Sequence, residues 1–473
     1  MKDLLVMKFG GTSMGSAERI KVAARICIEQ KRARPVVAVV SAMSKITDLL
    51  LDSLRKAEAG DESGLDFNLH KLRERHHETC GELLVDAAAE RRAVALAGVD
   101  ALLADFRRIC HGVRILGERP PKSVDEAVAI GEKLSSLLMA EYLESVDVPA
   151  QAVSGSDVIV TDAVFGAASP IMEETRKRAP AKLGPLIEAG QVPVVTGFNG
   201  ATVDGRPTTL GRGGSDFSAS ILAAALDASE LWIWTDVDGI MSADPRLVPD
   251  ALVLDQVTYA EAAELAYNGA KVLHPRTLAP LVERRIPVWS KNSFNTGHPG
   301  TRIVSSLQTS YPGPRAVTSM RGVALISLEP ASAAVSGTRM MARALDSLAA
   351  ANAEVLTFSS SSYRQNFCFL IRHEELDSVM ETLEGSFALE LAHGYLKPIE
   401  VDENVGLLAV VGEGMRGTPG LAGRIFSAIS QQKVNIIAIA QGSSEITISI
   451  VVHKDGLESA VRAVHAECNM GAR

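Results

Sequence analysis

The sequence predicts an α/β domain built on a mostly parallel sheet, followed by two smaller α+β modules. Apolar, β-branched runs alternate with segments of helical spacing through roughly the first 290 residues. The run at 35–41, Pro-Val-Val-Ala-Val-Val-Ser, is almost wholly apolar, as in a parallel strand buried on both faces. Further on, a βαββα pattern occurs twice, beginning at Gly322 and at Gly406. This repeat predicts two ferredoxin-like modules.

Composition restricts the class of protein further. The chain has 473 residues, 47% of them hydrophobic and 22% charged, an ordinary balance for a globular protein of roughly two to four domains. A net charge of −9 argues against general binding to nucleic acid or an anionic membrane. The five cysteines form no CxxC pair, which fits a reducing compartment and indicates no metal site. We recognise neither a signal peptide nor a membrane-spanning run, and therefore expect a cytoplasmic protein.

The elements of the first domain can be predicted in chain order. A strand at 4–7 leads through a glycine turn into a helix that begins near Ser16. After the strand at 35–41, residues 52–115 are rich in Ala, Leu, Glu and Arg and predict two or three helices. The later elements, bounded by turn residues, are a helix at 123–144, a strand and turn at 191–197, and strands at 231–235 and 286–290.

Three histidines, His70, His76 and His77, lie within the helices predicted at 52–115. Metal binding is one interpretation, but a solvated helical surface is the commoner environment for such residues. We therefore expect them to face solvent and to bind no metal.

Domain boundaries follow from a change in composition. Residues 294–315 are dense in Gly, Pro, Ser and Thr and predict a linker. We assign residues 1–293 to the first domain, 316–395 to the first module and 396–473 to the second.

A glycine-rich turn, Lys8-Phe-Gly-Gly-Thr-Ser13, follows the first predicted strand. Gly10 and Gly11 let the backbone approach a ligand, and their N–H groups lie before a helix N-terminus, an arrangement that suits an anion. Lys8 adds a positive charge beside this site. The turn therefore suits phosphate, with a simple glycine turn and a solvated lysine as the alternative. It is not a P-loop, because no lysine follows the glycines into the helix.

A second glycine-rich stretch, Thr208-Thr-Leu-Gly-Arg-Gly-Gly-Ser-Asp216, also precedes a helix. Arg212 offers a planar fork that matches a carboxylate or a phosphate. Asp216 falls in the first helical turn, where it either stabilises the helix dipole or orients Lys8 across a shared site. Two such stretches, each with one basic residue, indicate an anion site more specifically than either does alone.

Further polar side chains occur where α/β sheets bind ligands. One predicted strand ends at Thr235 and is followed by Asp236, with Arg246 ten residues on in the triplet Asp-Pro-Arg. Lys271 lies at another turn, shortly before His-Pro. Glu132 lies in an otherwise apolar helical stretch, for which a solvated helix acid is the ordinary interpretation.

A set of motifs runs through the chain in order: KFGGTS, VVSAMSKIT, GEKLSS, TTLGRGGSD, WTDVDGI, DPR and GAKVLHPRT. Together they resemble the aspartate kinases, which have the amino-acid kinase fold, and the two C-terminal modules resemble the regulatory ACT domains of that family. The resemblance covers almost the entire chain. Because the sequence stops after the second module, it resembles a monofunctional enzyme and not the fusion with homoserine dehydrogenase.

The resemblance implies ATP-dependent phosphorylation of the side-chain carboxylate of L-aspartate to 4-phospho-L-aspartate, the first step towards lysine, threonine and methionine. Such a site positions the reactants and neutralises charge, because the carboxylate is already a nucleophile. Lys8 and Asp216 are implied as the catalytic pair. The implied aspartate ligands are Ser41, Thr47, Glu132 and Arg212. Of these, Arg212 would hold the α-carboxylate and Glu132 the α-ammonium group.

The resemblance also implies a nucleotide site. Its implied ligands are Lys8, Gly10, Gly11, Thr235, Asp236, Met241, Arg246 and Lys271. Met241 stands where the family motif holds tyrosine, so an adenine contact there would be apolar. Mg²⁺ would bind mainly to ATP oxygens and water, and we assign no side-chain metal ligand.

The second module contains a competing motif. Residues 412–417, Gly-Glu-Gly-Met-Arg-Gly, match the G-x-G-x-x-G dinucleotide fingerprint, but too few residues follow and no acid lies about 20 residues on. The resemblance makes this turn, with residues 441–445, a site for an amino-acid effector. We expect threonine or lysine, with threonine favoured by the second module, and a homodimer or dimer of dimers joined through 316–473. The corresponding stretches of the first module, 329–337 and 359–363, have diverged, which leaves the effector open.

Two other functions fit part of the sequence. One is a kinase of another acidic amino acid, glutamate or N-acetylglutamate. An N-acetylated substrate has no ammonium group, so a buried Glu132 would remain unpaired at a free-energy cost. The other is a non-catalytic amino-acid sensor that uses the ACT pair alone. The joint presence of Lys8, Arg212, Asp216 and Lys271 argues against it.

Overall fold

The computed structural model describes residues 3–270, 272–307, 312–331, 336–361 and 366–471. The chain divides into two compact units. Unit 1 comprises Met1–Ile240, Asp255–Tyr259 and Leu273–Ser306, and unit 2 comprises Met241–Leu254, Ala260–Val272 and Leu307–Arg473.

The strands are listed here in chain order. In unit 1 they are β1 (Leu5–Phe9), β2 (Val36–Val40), β3 (Ala150–Val153), β4 (Val160–Thr161), β5 (Val192–Thr196), β6 (Asn199–Thr202), β7 (Pro207–Thr209), β8 (Glu230–Thr235), β9 (Gln256–Thr258), β10 (Val288–Asn292) and β11 (Thr301–Val304). In unit 2 they are β12 (Ala316–Met320), β13 (Val323–Leu328), β14 (Thr357–Ser360), β15 (Phe367–Arg372), β16 (Glu400–Asp402), β17 (Val405–Val411), β18 (Ile436–Gln441) and β19 (Thr447–His453).

The α-helices are distributed along the whole chain. They are α1 (Ala17–Lys31), α2 (Ile46–Glu58), α3 (Glu62–Leu83), α4 (Ala89–Leu116), α5 (Pro121–Ser145), α6 (Met172–Glu188), α7 (Gly214–Ala225), α8 (Tyr259–Tyr267), α9 (Pro275–Val282), α10 (Gly337–Ala350), α11 (Leu376–Ser386), α12 (Ala388–Ala392), α13 (Leu421–Gln431) and α14 (Leu457–Glu467). Within the described residues, no helix combines the length and the apolar character needed to cross a membrane.

Eight strands of unit 1 form one sheet in the order β3-β5-β2-β1-β8-β10-β11-β9. From β3 to β10 all neighbours are parallel, and only β11 runs antiparallel to β10. The predicted, mostly parallel sheet is confirmed. β1 is central, so the turn that follows it lies at the carboxyl edge of the sheet, where α/β proteins bind ligands. A smaller sheet has the order β4-β6-β7.

Burial explains why the central segments adopt these structures. Every residue of β1 and β2 is buried, as expected of parallel strands covered on both faces. Helix α1 begins where the hydroxyl of Ser16 accepts a hydrogen bond from the amide of Arg19. It then buries Ile20, Ala24 and Cys27, which recur at helical spacing, against the core.

The predicted linker also contains a strand. β11 lies inside the stretch 294–315 and pairs with β10 and β9. The glycines and prolines of this stretch lie on either side of β11 and not within it. The average composition of the stretch therefore hid the strand. Residues 308–311 of the same stretch lie outside the described residues.

The expectation that the three histidines face solvent is wrong for His76. Its side chain is completely buried, its Nδ1 lies 2.6 Å from the carbonyl oxygen of Leu72, and burial lowers its pKa to about 4. His70 is exposed, and His77 is half-buried with Nε2 2.8 Å from Asp100. The described residues contain no group of three or more potential metal-ligating side chains. Helix α3 buries its His76 face because it packs between other helices of unit 1.

Unit 2 contains the two predicted α+β modules. Their antiparallel sheets have the orders β14-β15-β13-β16 and β12-β17-β19-β18. The two sheets do not follow the predicted boundary between residues 395 and 396. β12, from the predicted first module, pairs with β17 of the second sheet, and β16, from the predicted second module, pairs with β13 of the first. Both are edge strands outside the repeated pattern, so the repeat gave no sign of them. In the first module, residues 332–335 and 362–365 lie outside the described residues.

The G-x-G-x-x-G stretch at 412–417 lies between β17 and α13. Because β17 belongs to a four-stranded antiparallel sheet, the turn is not part of the parallel βαβ unit that binds dinucleotides.

Candidate active site

Lys8 and Asp216 meet at the centre of unit 1. Lys8 is 8% exposed near the end of β1, and its Nζ lies 2.6 Å from Oδ1 of Asp216 in the first turn of α7. A Cβ atom added to Gly10 would lie only 3.2 Å from the Lys8 Nζ, so the glycine leaves room for the ammonium group. The two glycine-rich stretches therefore converge, with the lysine of one paired to the acid of the other.

The turn after β1 is held against neighbouring loops. The amide of Gly10 donates to the carbonyl of Trp234, and the hydroxyl of Ser44 donates to the carbonyl of Gly11 at 2.8 Å. A Cβ on Gly11 would lie 3.2 Å from the carbonyl oxygen of Ala42. The glycines thus permit a close approach between this turn and the loop after β2.

The second glycine-rich loop depends on backbone conformations that favour glycine. Gly211 and Gly213 have φ angles of 73° and 69°, in the left-handed region. A Cβ on Gly214 would lie 2.5 Å from the ring of Phe198. The loop turns sharply through Arg212 and enters α7, which brings Asp216 to Lys8.

Glu132 occupies an unusual position for a carboxylate. It lies on α5 and is 4% exposed, so the interpretation as a solvated helix acid is wrong. Its Oε1 accepts a hydrogen bond from the amide of Ala42 at 3.2 Å, whereas its buried Oε2 has no hydrogen-bond partner among the described residues. Burial raises the pKa of Glu132 to about 8. The carboxylate would be stabilised by a cation from outside the chain.

These residues line one cavity of about 810 Å³. The predicted site residues along its wall are Lys8, Gly11, Ser41, Thr47, Glu132, Arg212 and Asp216. The cavity therefore joins the phosphate-type turn, the guanidinium fork and the buried carboxylate in a single space.

Several residues of the wall were not predicted as site residues. They include Ser44, Lys45, Asp48, Phe198 and Ser215. Phe198 has a φ of 67° although it is not a glycine, and such strain in a cavity wall is typical of functional sites. The motif VVSAMSKIT already contained Ser44 and Lys45, so sequence could have indicated these two.

Thr235 and Asp236 lie at the same sheet edge as Gly10 but do not line this cavity. A network absent from the sequence prediction fixes the loops around them. Asp238 accepts hydrogen bonds from the side-chain amides of Asn292 and Asn295, at 2.9 and 3.0 Å. The amide of Ser293 donates to the carbonyl of Thr235.

Two of the remaining predicted nucleotide ligands are described residues of unit 2. Met241 and Arg246 belong to unit 2, where the guanidinium of Arg246 is exposed and pairs with Asp244 at 2.6 Å. Lys271 lies outside the described residues. Their predicted roles remain predictions.

Comparison with known families agrees with this geometry. The model of the amino acid kinase family matches residues 3–292, and an ACT domain model matches residues 408–468. Unit 1 thus has the fold and the candidate site of an amino acid kinase.

Individual relatives narrow the class. Bifunctional aspartokinase/homoserine dehydrogenase 1 of Arabidopsis thaliana is 35% identical over 468 residues, but the chain spans only 50% of its length. Aspartokinase 3 of the same plant is 33% identical, and the match covers 98% of this chain and 81% of that protein. Aspartokinase III of E. coli, solved with aspartate and ADP, superimposes with a TM-score of 0.83 at 30% identity over 98% of this chain and 99% of that one. The chain belongs to the aspartokinase family.

The same E. coli enzyme has also been solved in complex with lysine and aspartate, in a T-state. That structure superimposes with a TM-score of 0.79 at 30% identity, again over 98% of this chain.

Proposed function

We propose that the protein is an aspartate kinase, which transfers the γ-phosphoryl group of ATP to the β-carboxylate of L-aspartate. A carboxylate oxygen attacks the γ-phosphorus, the bond between that phosphorus and the β–γ bridging oxygen breaks, and 4-phospho-L-aspartate and ADP result. No general base is needed, because the carboxylate is already a nucleophile. The E. coli relative that was solved with aspartate and ADP supports this assignment.

The buried Oε2 of Glu132, which has no hydrogen-bond partner in the part of the chain that the structure describes, carries the proposal. An ionised carboxylate is costly to bury alone, and the α-ammonium group of an amino acid would offset that cost. Arg212 lines the same cavity and offers a bidentate fork for the α-carboxylate. A free amino acid supplies both groups and an N-acetylated one does not, which favours aspartate or glutamate over N-acetylglutamate.

Lys8 would stabilise the charge that builds on the transferring phosphoryl group. Its Nζ is already fixed by Asp216 at 2.6 Å, so little reorganisation is needed when the transition state forms. Gly10 and Gly11 would let backbone N–H groups approach the β- and γ-phosphates. Ser41 and Thr47, at the wall of the same cavity, would hydrogen-bond the aspartate.

The nucleotide would extend from this turn towards the end of β8. In this proposal Thr235 and Asp236 contact the adenosine, whereas the apolar contact of Met241 and the phosphate contacts of Arg246 and Lys271 stay predictions from the family motifs. Mg²⁺ would bind to ATP oxygens and water and would neutralise phosphate charge. Asp216, the acid beside the phosphate turn, is already paired with Lys8, which agrees with a metal held mainly by the nucleotide.

A substrate panel tests the proposed activity. ADP release and hydroxylamine trapping of the acyl phosphate would be measured with ATP, Mg²⁺ and, in turn, L-aspartate, L-glutamate, N-acetyl-L-aspartate and N-acetyl-L-glutamate. We expect turnover with L-aspartate and none with the N-acetylated acids. Turnover of N-acetyl-L-glutamate in preference to L-aspartate would overturn the proposal.

We also propose that unit 2 binds an amino-acid effector, either threonine or lysine. A cavity of about 430 Å³ lies at the start of α13, lined by residues 417–423 together with Gln441 and Glu445. Glu445 Oε2 accepts a hydrogen bond from the amide of Gly417 at 2.8 Å, so this turn already binds a carboxylate of the chain itself. The lysine complex of the E. coli relative supports lysine, and the motif resemblance of the second module supports threonine.

The proposed assembly is a homodimer or a dimer of dimers joined through residues 316–473. β12 and β18 are the edge strands of one sheet, and β14 and β16 are those of the other. An edge strand has backbone groups that can pair with a strand of another chain. In a dimer with two-fold symmetry, an edge strand of one subunit would pair with the same strand of the other.

A further inference from the structure

Asp125 is a second buried carboxylate on α5, and nothing in the proposed chemistry uses it. It is 2% exposed. Its Oδ2 accepts hydrogen bonds from the amides of Gly166 and Thr209, each at 2.9 Å, and its Oδ1 accepts one from the Thr209 hydroxyl at 2.7 Å. All three donors belong to segments around the second glycine-rich loop. Asp125 therefore fixes the backbone three residues before Arg212.

Asp125 and Glu132 are seven residues apart on α5, which is close to two helical turns, so they project from the same face of the helix. Glu132 accepts from Ala42, in the loop after β2. Asp125 accepts from Thr209, at the start of the loop that carries Arg212. One rigid helix thus binds both loops of the cavity wall, one with each carboxylate.

Arg276 holds the same loop from another element. On α9, its Nη1 donates to the carbonyl of Leu210 at 3.3 Å, and its Nη2 donates to the carbonyl of Ala168 at 2.8 Å. Its guanidinium also lies 4.9 Å from the ring centroid of Phe217, at the start of α7. The residues immediately before Arg212 are therefore anchored twice, at Thr209 by Asp125 and at Leu210 by Arg276.

The loop needs such anchors because its own sequence makes it flexible. Gly211 and Gly213 flank Arg212, and glycine loses more conformational freedom on ordering than any other residue. A bidentate clamp works only if the guanidinium is held in one orientation. The hydrogen bonds that Asp125 accepts and Arg276 donates restrict the loop where its glycines do not.

We propose that Asp125, assisted by Arg276, is a positioning residue that sets the place of Arg212 relative to Glu132. This inference rests on the proposed aspartate kinase activity. Oδ2 accepts from two backbone amides, which can only donate, whereas Oδ1 faces the Thr209 hydroxyl, which can donate or accept. Asparagine could keep these contacts, with its oxygen on the two amides and its NH₂ group on the hydroxyl. Asp125→Ala, which removes both acceptor oxygens, is therefore the informative change.

The test compares Asp125→Ala with Glu126→Ala, which truncates an acid at the next, exposed position of α5. We expect Asp125→Ala to raise the KM for aspartate by roughly tenfold to a hundredfold and to leave the KM for ATP within about twofold, as expected of a misplaced substrate clamp. Glu126→Ala should match wild type in both. Equal rises in the two KM values, or a loss of thermal stability with neither KM changed, would overturn the proposal.

Hydrogen–deuterium exchange of the peptide that covers residues 208–214 provides a readout independent of turnover. Exchange should accelerate in Asp125→Ala and in Arg276→Lys but not in Glu126→Ala. If wild type proves inactive with aspartate, the proposed function fails while the exchange result still decides the anchoring role. Unchanged exchange in both variants would refute that role.

Thr209→Val is the milder variant, should Asp125→Ala fail to fold. It removes the hydroxyl donor, keeps the amide donor and preserves the shape of the side chain. We expect a smaller rise in the KM for aspartate, of about threefold to tenfold, because one of three hydrogen bonds is lost. A Thr209→Val enzyme with wild-type KM for aspartate and wild-type exchange would count against the proposal.

Discussion

At the residue scale, the site depends on ionisable groups that are buried with few partners. Lys8 pairs with the acid Asp216 at 2.6 Å. Glu132 accepts a hydrogen bond from one backbone amide, and among the described residues its buried Oε2 has no partner. Burying such a group costs free energy until a ligand pairs with it. Single substitutions here should therefore change substrate affinity and kcat strongly.

Replacement of Lys8 by alanine should lower kcat far more than it raises KM for either substrate. Charge builds on the transferring phosphoryl group only in the transition state, and removal of one electrostatic stabiliser costs on the order of 10²-fold in kcat. Steady-state kinetics would be compared with Lys122→Ala, a lysine exposed at the start of α5. A near-normal kcat with weakened ATP binding would show that Lys8 acts on the ground state alone.

Replacement of Arg212 by lysine should raise the KM for aspartate and leave the KM for ATP nearly unchanged. Lysine keeps the positive charge but loses the bidentate fork, so the α-carboxylate would be held by fewer hydrogen bonds. Arg108→Lys, on the exposed surface of α4, is the matched control. A fall in ATP affinity instead would make Arg212 a phosphate ligand.

The ionisation of Glu132 should appear in the pH profile. Burial raises its pKa from 4.5 to about 8, so the folded protein binds a proton that the unfolded chain releases between these pH values. Stability of the ligand-free protein should therefore fall as pH rises from about 5 to about 8. Because only the ionised form pairs with an ammonium group, affinity for aspartate should rise over the same range.

Titration of wild type against Glu132→Gln checks both trends, by thermal unfolding and by calorimetric aspartate binding. Glutamine cannot ionise, so each trend should flatten in that variant. A wild-type stability curve parallel to that of Glu132→Gln between these pH values would mean that the carboxyl group has an ordinary pKa.

At the scale of elements, α5 is the organising helix of the site. It carries Glu132 and Asp125 on one face and packs closely against the loop after β2. A Cβ on Gly131 would lie 2.9 Å from Cβ of Ala42 and 3.3 Å from a methyl carbon of Leu50, so only glycine permits this approach. Glycine has poor helix propensity, but at position 131 it allows α5 to approach the loop after β2 closely enough for Glu132 to contact it.

Gly131→Ala should therefore destabilise the protein and raise the KM for aspartate, although alanine favours helix. The expected contrast is Gly112→Ala on α4, where an added Cβ meets nothing within 4 Å. That change should stabilise by roughly 0.5–1 kcal/mol through helix propensity. Thermal unfolding and aspartate kinetics of both variants measure the difference. A stabilised and fully active Gly131→Ala enzyme would mean that α5 and the loop adjust freely.

At the scale of the whole molecule, the proposed regulation requires coupling between the effector turn and the kinase site. Coupling free energy is reciprocal. If the effector lowers the affinity for aspartate or ATP, that substrate must lower the affinity for the effector by the same factor. Typical couplings are about 1–3 kcal/mol, or roughly 5- to 150-fold in affinity.

Calorimetry with threonine and with lysine, in the presence and absence of ATP and aspartate, measures this coupling. We expect one of the two amino acids to bind and to inhibit. Gln441→Ala, in the wall of the unit 2 cavity, should weaken effector binding while activity without effector stays unchanged. No heat and no inhibition with either amino acid would leave unit 2 with a role in assembly alone.

The sequence alone was sufficient to predict the fold class and those features of the site that depend on neighbouring residues. Continuous β-branched runs such as 36–40 predicted a parallel sheet because strands covered on both faces need apolar side chains throughout. Glycine-rich turns before helices predicted an anion site because backbone approach and helix N-termini are local properties. Local patterns placed Lys8 and Asp216 each in its own turn but left their contact as one of two interpretations, and the family resemblance implied it; in the structure the two side chains lie 2.6 Å apart.

Tertiary structure alone decided which side chains are buried and what each one contacts. The burial of Glu132, the burial of His76 and the three donors around Asp125 depend on packing between segments far apart in sequence. The edge strands β12 and β16 likewise acquire their partners only when the two sheets form. Burial and long-range pairing arise only when distant segments pack together. A local sequence pattern therefore does not reveal which individual side chain is buried or which partner it contacts.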